Sequence, residues 1–182
     1  MSDLKPLTAF ISGPLDPTPA YFAIHYAPKL DTAIAAGHNF IIGPVRGVDA
    51  LALQYLLEKG AEPKRISVYM ARFEFASSTW RTSFTSLGVN VVEVEDAVTT
   101  RERDAAMTRD SDYDILRYRT EEEARAAYGA GWWPRVSNTE MNERRRAGDE
   151  SQEYRPSGEV EGGKAVKQEE TKSKVRKLFR RK

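Results

Sequence analysis

The sequence predicts an α/β fold: a parallel sheet of about five strands with helices on both faces, followed by a polar C-terminal tail. Three observations point there. Short apolar runs alternate with helix-patterned segments along residues 1–148. The connections are short, and several of the runs stop at Gly or Pro. Past Gly148 the apolar residues thin out. Only seven of the 34 residues in 149–182 are apolar, too few to bury a core, so that stretch is expected to be disordered. The expected domain is therefore 1–148, with a tail over 149–182.

The elements follow in order. The run 7–12 reads as a buried strand that stops at Gly13-Pro14. Thr18-Pro19 starts a helix, with proline at its first position. Tyr21, Ile24, His25, Leu30, Ala33 and Ile34 keep helical spacing up to Gly37, and Pro28 is expected to break or kink the helix. Residues 39–42 form a second strand, stopped by Gly43-Pro44. Residues 49–59 form a helix on Leu51, Leu53, Leu56 and Leu57, ended by Gly60. Residues 65–70 are a third strand. The stretch 71–85 is ambiguous, with a short helix expected around 78–87. Residues 89–94 are a fourth strand, 100–110 a polar helix and 113–118 a fifth strand. Residues 121–128 are a short helix, and 139–147 a last one that Gly148 ends.

Composition removes several function classes. There is no cysteine, so disulfides and thiolate chemistry are excluded. Histidines 25 and 38 are too few for a histidine-rich metal site, and no metal or cofactor is expected. No stretch approaches the length of a membrane span, and the N-terminus lacks a signal-peptide pattern. The expectation is a soluble protein of the cytoplasm, with the nucleus as the alternative. The net charge is +1. Residues 149–182 hold ten Lys/Arg against seven Asp/Glu, and residues 1–148 hold 18 against 20, so a globally basic nucleic-acid-binding domain is not indicated.

Ligands of parallel sheets bind beyond the carboxyl ends of the strands. The candidate loops are thus 12–16, 43–49 and the segment after Tyr118. In Ser12-Gly13-Pro14-Leu15-Asp16 the glycine permits close approach of backbone to a ligand, or simply makes the turn. In Gly43-Pro44-Val45-Arg46-Gly47-Val48-Asp49 two glycines open a helix whose free N–H groups favour an anion such as phosphate. Arg46 adds a positive charge, and Asp49 is a candidate cap. A glycine turn beside an exposed arginine explains the same residues. The spacing is neither a dinucleotide fingerprint nor a P-loop. On the polar helix, Arg103 and Met107 share a face. That places Arg103 toward the strand ends, unless the whole segment is a solvated, salt-bridged face. Ser137, Asn138 and Thr139 are each good N-caps, and together form either a second phosphate cradle or a plain capping box with Glu140. Trp132 and Trp133 anchor a core edge or stack on a base. His25 reads as a packed helix residue.

These segments, in this order, resemble the SLOG superfamily, the Rossmann-like nucleotide-binding fold of LOG-type phosphoribohydrolases and DprA-like proteins. Glu102-Arg103-Asp104-Ala105-Ala106-Met107 with Ser111-Asp112-Tyr113-Asp114-Ile115 is similar to the LOG pattern E-R-K-x-x-M…A-D-x-x-I. Gly43…Arg46-Gly47-Val48-Asp49-Ala50-Leu51-Ala52 is similar to the LOG glycine turn and closer to the DprA G-x-D-x-x-A. Ser137-Asn138-Thr139 stands at the LOG loop P-G-G-x-G-T-x-x-E. The resemblance covers about residues 7–148. It implies a nucleotide-phosphate pocket lined by Ser12, Gly13, Gly43, Arg46 and Gly47, with Arg103 as the catalytic-site arginine and Ser137, Asn138 and Thr139 as the phosphate loop. This sequence has Asp104 where the family has lysine, lacks the P-G-G, and has Asn142 where the catalytic glutamate stands. An amide is no general base. Glu140 is the nearby carboxylate in that loop, and Asp16 and Asp49 are the others for a glycosidic-bond chemistry like that of nucleoside deoxyribosyltransferases.

The expected function is binding of a nucleotide or nucleotide derivative at the carboxyl edge, with cleavage or transfer at an N-glycosidic bond in the enzymatic version. The alternatives are a nucleotide sensor without turnover, or a DprA-like nucleic-acid-associated protein. Seven of the eleven residues in 172–182 are basic, a run that suits nuclear targeting, nucleic-acid contact or plain solubility. The resemblance implies a homodimer. No membrane partner is expected.

Overall fold

The computed structural model of the chain describes residues 5–156. Five strands, β1 (Thr8–Ser12), β2 (Asn39–Ile42), β3 (Ile66–Ala71), β4 (Asn90–Val94) and β5 (Tyr113–Leu116), form one sheet in the order β4-β3-β2-β1-β5. Every pairing is parallel. The chain steps outward from β1 to β4, then crosses to the far side of β1 to lay down β5. That reversal of strand order sits between β1 and β5, where such sheets open a crevice at their carboxyl ends.

The first helical stretch is split into α1 (Pro19–His25) and α2 (Ala27–Ala35). Pro28, at the start of α2, has no N–H to continue the ladder from α1. The Thr18 hydroxyl caps α1 by accepting from the Tyr21 N–H at 3.1 Å. Next come α3 (Val48–Glu58), α4 (Arg72–Phe75), α5 (Ser78–Thr85) and α6 (Thr100–Arg109). The stretch whose pattern was ambiguous thus holds two short helices, because Ala76 and Ser77 end one and cap the next. Last in the main body is α8 (Asn138–Arg146).

The strands alternate between two faces. Ala9, Ile11, Phe40, Ile42, Ile66, Val68 and Met70 point to one face and meet Phe22, Tyr26, Leu30, Val48 and Leu56 in a large apolar core. On the other face Phe10 and Ile41 meet Met107 in a small cluster.

Two compact units divide the chain. The larger holds the sheet and every helix named so far. In the smaller, α7 (Glu121–Tyr128) is capped by a reciprocal Thr120–Glu123 box, and the Arg125 guanidinium lies 3.7 Å over the Trp132 ring. Past α8, Arg144 donates to the carbonyls of Ser151 and Glu153 at 2.8 and 2.9 Å, so the chain is still held beyond the boundary expected at Gly148. Residues 157–182, with the basic run, lie outside the described residues. Among the described residues no helix is long and apolar enough to cross a membrane.

Candidate functional site

The carboxyl edge of the sheet collects the charges that the core excludes. Arg103 leaves α6 from the same face as Met107, and both are buried. Its Nη1 donates to Glu74 Oε1 at 2.5 Å, and its Nη2 and Nε donate to Asp104 Oδ1 at 2.9 and 3.1 Å. Glu74 is fixed at its other oxygen, which accepts from the Ala71 N–H at the end of β3 at 2.8 Å. Burial works against the guanidinium charge, yet Asp104 and Glu74 outweigh it and hold the group above its ordinary value. The Arg103 fork is therefore occupied by carboxylates on two sides.

From Asp104 the chain of contacts continues. Asn142, only 1 % exposed on α8, donates from Nδ2 toward Asp104 Oδ2 and Ser12 Oγ, each at 3.3 Å. Its Oδ1 accepts from Arg145 at 2.8 Å. The Ser12 carbonyl accepts from the Tyr26 hydroxyl at 2.9 Å, and that hydroxyl also accepts from the Arg117 N–H at 3.0 Å just past β5. A run of polar contacts thus crosses the sheet from the end of β3, over β1, to the end of β5. Glu74, Tyr26 and Arg117 were not among the residues singled out from the sequence. A lone acid between Phe73 and Phe75 is the one local hint for Glu74; Tyr26, at the junction of α1 and α2, gives none.

Asp49 lies beside this run. It does not cap α3: the cap position is Gly47, at φ +88°, and Asp49 falls inside the first turn and is buried. Burial pushes its pKa up to about 8; Asp104 and Glu74 add to the rise, and Arg103 and the Gly43 N–H oppose it. A Cβ on Gly43 would meet Asp49 Oδ2 at 2.5 Å and Arg103 Nη2 at 3.3 Å, so glycine is needed there for close approach to these side chains.

The same test explains the other glycines of the expected pocket. At Gly13 a Cβ would meet the Tyr26 hydroxyl at 2.2 Å and Val48 Cγ2 at 2.5 Å, and at Gly47 the backbone of Pro14 and Leu15. The Val48 N–H donates to the Pro14 carbonyl at 3.0 Å. Much of the cradle read for an anion is thus closed by the protein's own 13–15 loop. Arg46 is exposed and makes no ion pair with a described residue.

At the start of α8, Ser137 is the cap and accepts from the Glu140 N–H at 3.0 Å. Asn138 is exposed and Thr139 is buried. Glu140 is tied to Arg144 at 2.6 Å, and Asp16 to Arg119 at 2.9 Å. Trp133 is mostly exposed, with Arg135 stacked 4.9 Å from its ring. His25 packs edge-on against Tyr21. The structure therefore brings together Ser12, Gly43, Asp49, Arg103 and Asn142. It places Arg46 on the rim and gives Glu140 a partner on its own helix. No group of acidic or histidine side chains among the described residues is arranged to hold a metal ion.

A groove of about 310 Å³ opens beside Asp49 between α3 and α5. Leu53, Leu57, Phe84 and Leu87 line it, with Gly43 and Asp49 at its inner end.

Comparison with family models, with curated proteins and with solved structures finds no match to the chain.

Proposed function

We propose that this chain binds a nucleotide or nucleotide derivative at the carboxyl edge of its sheet. The observation that carries the reading is the buried polar run Glu74–Arg103–Asp104–Asn142–Ser12 beneath the reversal of strand order. Buried charges in register with a crevice favour a functional site over a packing accident. The similarity of the segment order to SLOG proteins supports a nucleotide as the ligand class.

The charges argue for an orientation. Glu74 and Asp104 face a single guanidinium, Arg103, and Asp49 beside them adds no positive charge, so this region repels a phosphate. It suits the neutral base and ribose hydroxyls. The exposed Arg46, in the loop that follows β2, is the better anchor for phosphate. Arg103 is then a positioning residue that fixes Asp104 and Glu74.

In the version with turnover, the N-glycosidic bond breaks and its electron pair goes to the base nitrogen. Asp49, neutral at pH 7 by its raised pKa, gives that nitrogen its proton. Water or another acceptor then takes the ribosyl carbon and returns a proton to Asp49. A sensor would use the same pocket without this step.

Thermal unfolding of the full chain with adenosine, AMP, ADP, NAD and ADP-ribose tests the reading. A ligand at a hundredfold over its Kd adds about 2.7 kcal/mol. Chromatography of each mixture for free base separates the versions. Stabilisation with base release, the release lost in Asp49→Asn while binding stays, supports the enzyme. Stabilisation without release supports the sensor. No stabilisation by any of the five removes the reading.

A further inference from the structure

The groove between α3 and α5 has a composition unlike the rest of the carboxyl edge. Its wall is Leu53, Leu57, Phe84 and Leu87, and α5 buries none of its own residues completely. Of the groove's polar side chains Asp49 is buried beside the Gly43 backbone, while Gln54 and Glu58 are exposed and bonded to each other at 2.7 Å. An apolar trough with one buried polar group and the other polar side chains exposed is the arrangement of a small-molecule subsite. The volume of about 310 Å³ stands at the small end of such pockets, roughly 300–1,000 Å³.

We propose that this groove is the subsite for a flat heteroaromatic ring, which lies against Leu53, Leu57 and Phe84 and offers a ring nitrogen to the Asp49 carboxyl. The proposal rests on the nucleotide reading for its biological ligand, and it names where the base goes. The groups facing Asp49 are Asp104 and Arg103 on α6, Glu74 on α4 and Tyr26 between α1 and α2. Burial first, and then the two acids, outweigh one guanidinium, so the carboxyl keeps its proton at pH 7 and donates. The absence of a side chain at Gly43, where a Cβ would meet Asp49 Oδ2 at 2.5 Å, leaves room for the carboxyl at this end of the groove. A ring with an acceptor nitrogen therefore gains a hydrogen bond that an isosteric ring without one lacks. Above about pH 8 the carboxyl becomes an acceptor and that gain disappears.

Benzimidazole and indole form such a pair, and neither carries sugar or phosphate. Titration of each into the full chain, followed through the methyl NMR signals of Leu57 and Leu87, reads the groove directly. At pH 6.5 benzimidazole is expected to bind about fivefold to tenfold tighter than indole, the worth of one neutral hydrogen bond. The gap should close by pH 9. In Asp49→Asn, which keeps a donor of the same size, the gap should persist at both pH values. Equal binding of the two probes at pH 6.5 would overturn the proposal. So would methyl signals that ignore both probes, including the case where they respond to protein concentration because a second copy covers the groove. Nucleotides that stabilise the chain while Leu57 and Leu87 stay silent would sink this proposal and leave the nucleotide reading standing. Benzimidazole in the groove with no response to any nucleotide would do the reverse.

Discussion

The two faces of the sheet are buried by different chemistry. Beneath α1, α2 and α3 the contacts are apolar: Leu30, Val48 and Leu56 are fully buried against Ile11, Ile42 and Val68. Beneath α6 and α8 the buried residues include Arg103, Asp104, Thr108, Asn142 and Arg144. There Arg146 spans Asp114 at 2.8 Å, the Ser111 hydroxyl at 2.6 Å and two backbone carbonyls. The first face is held by area removed from water, which needs no particular partner. The second is held by directional pairs, each of which leaves a costly orphan if its partner is lost. The candidate site lies on the border, where Asp49 leaves the apolar side and reaches toward Arg103.

The largest expected effect breaks that border from the polar side. Arg103→Ala leaves Glu74 and Asp104 buried with no cation between them, and should cost about 3–5 kcal/mol in urea unfolding. Leu56→Ala, its counterpart on the apolar face, should cost about 2–5 kcal/mol through lost transfer energy and a cavity. The two are separated by a rescue. Replacing Arg103, Glu74 and Asp104 together by Met, Gln and Asn should recover most of the stability lost in Arg103→Ala, because no charge is left unpaired and the amide oxygens still accept from the Ala71 N–H and Asn142 Nδ2. No charge replacement will rescue Leu56→Ala. If the triple variant is as unstable as Arg103→Ala, packing and not charge is what Arg103 supplies.

A smaller effect sharpens the comparison through pH. The folded-state pKa of Asp49 is raised to about 8, above the unfolded value of about 3.9. Its contribution to stability is therefore complete below about pH 4 and is lost as pH rises through 8. The full chain should lose stability between pH 5 and 8 in urea unfolding. Asp49→Asn, which cannot titrate, should flatten that part of the profile. A slope that survives the substitution would place its origin in another group.

The apolar face was legible and the polar one was not, for a physical reason. Periodicity reports a residue's own element. It gave β2 at residues 39–42 and α7 at 121–128 with the observed bounds, but for α6 it favoured a solvated, salt-bridged face, and the structure instead buries Arg103 beside Met107. Periodicity cannot report a partner far along the chain. Ser12 and Asn142 are 130 residues apart in sequence, and Arg103 finds Glu74 across 29. Glu74 lies in a helix of four residues, too short to leave a pattern. Asp49 looked like a cap because acids are common at helix starts. Gly47 took that place by its positive φ, and Asp49 turned inward as a result. The glycines at 13, 43 and 47 do mark close approaches, and these are chiefly to Tyr26, Val48, Asp49 and the 14–15 backbone of the protein itself.

The smallest effect comes from a second arginine on the helix that carries Arg103. Arg109 closes the last turn of α6 and pairs with Asp110 at 2.8 Å, a contact as short as the buried ones. Its side chain is 72 % exposed, so water screens the pair and replaces either partner's hydrogen bonds when the other is gone. Asp110 also accepts from the Tyr69 hydroxyl at 3.2 Å, which remains after the arginine is removed. Arg109→Ala should therefore leave the urea midpoint where it is, at low and at high salt alike. A loss approaching that of Arg103→Ala would mean that pair geometry, and not burial, sets what an arginine contributes to this face. The contrast between the two faces would then rest on the number of pairs rather than on where they lie.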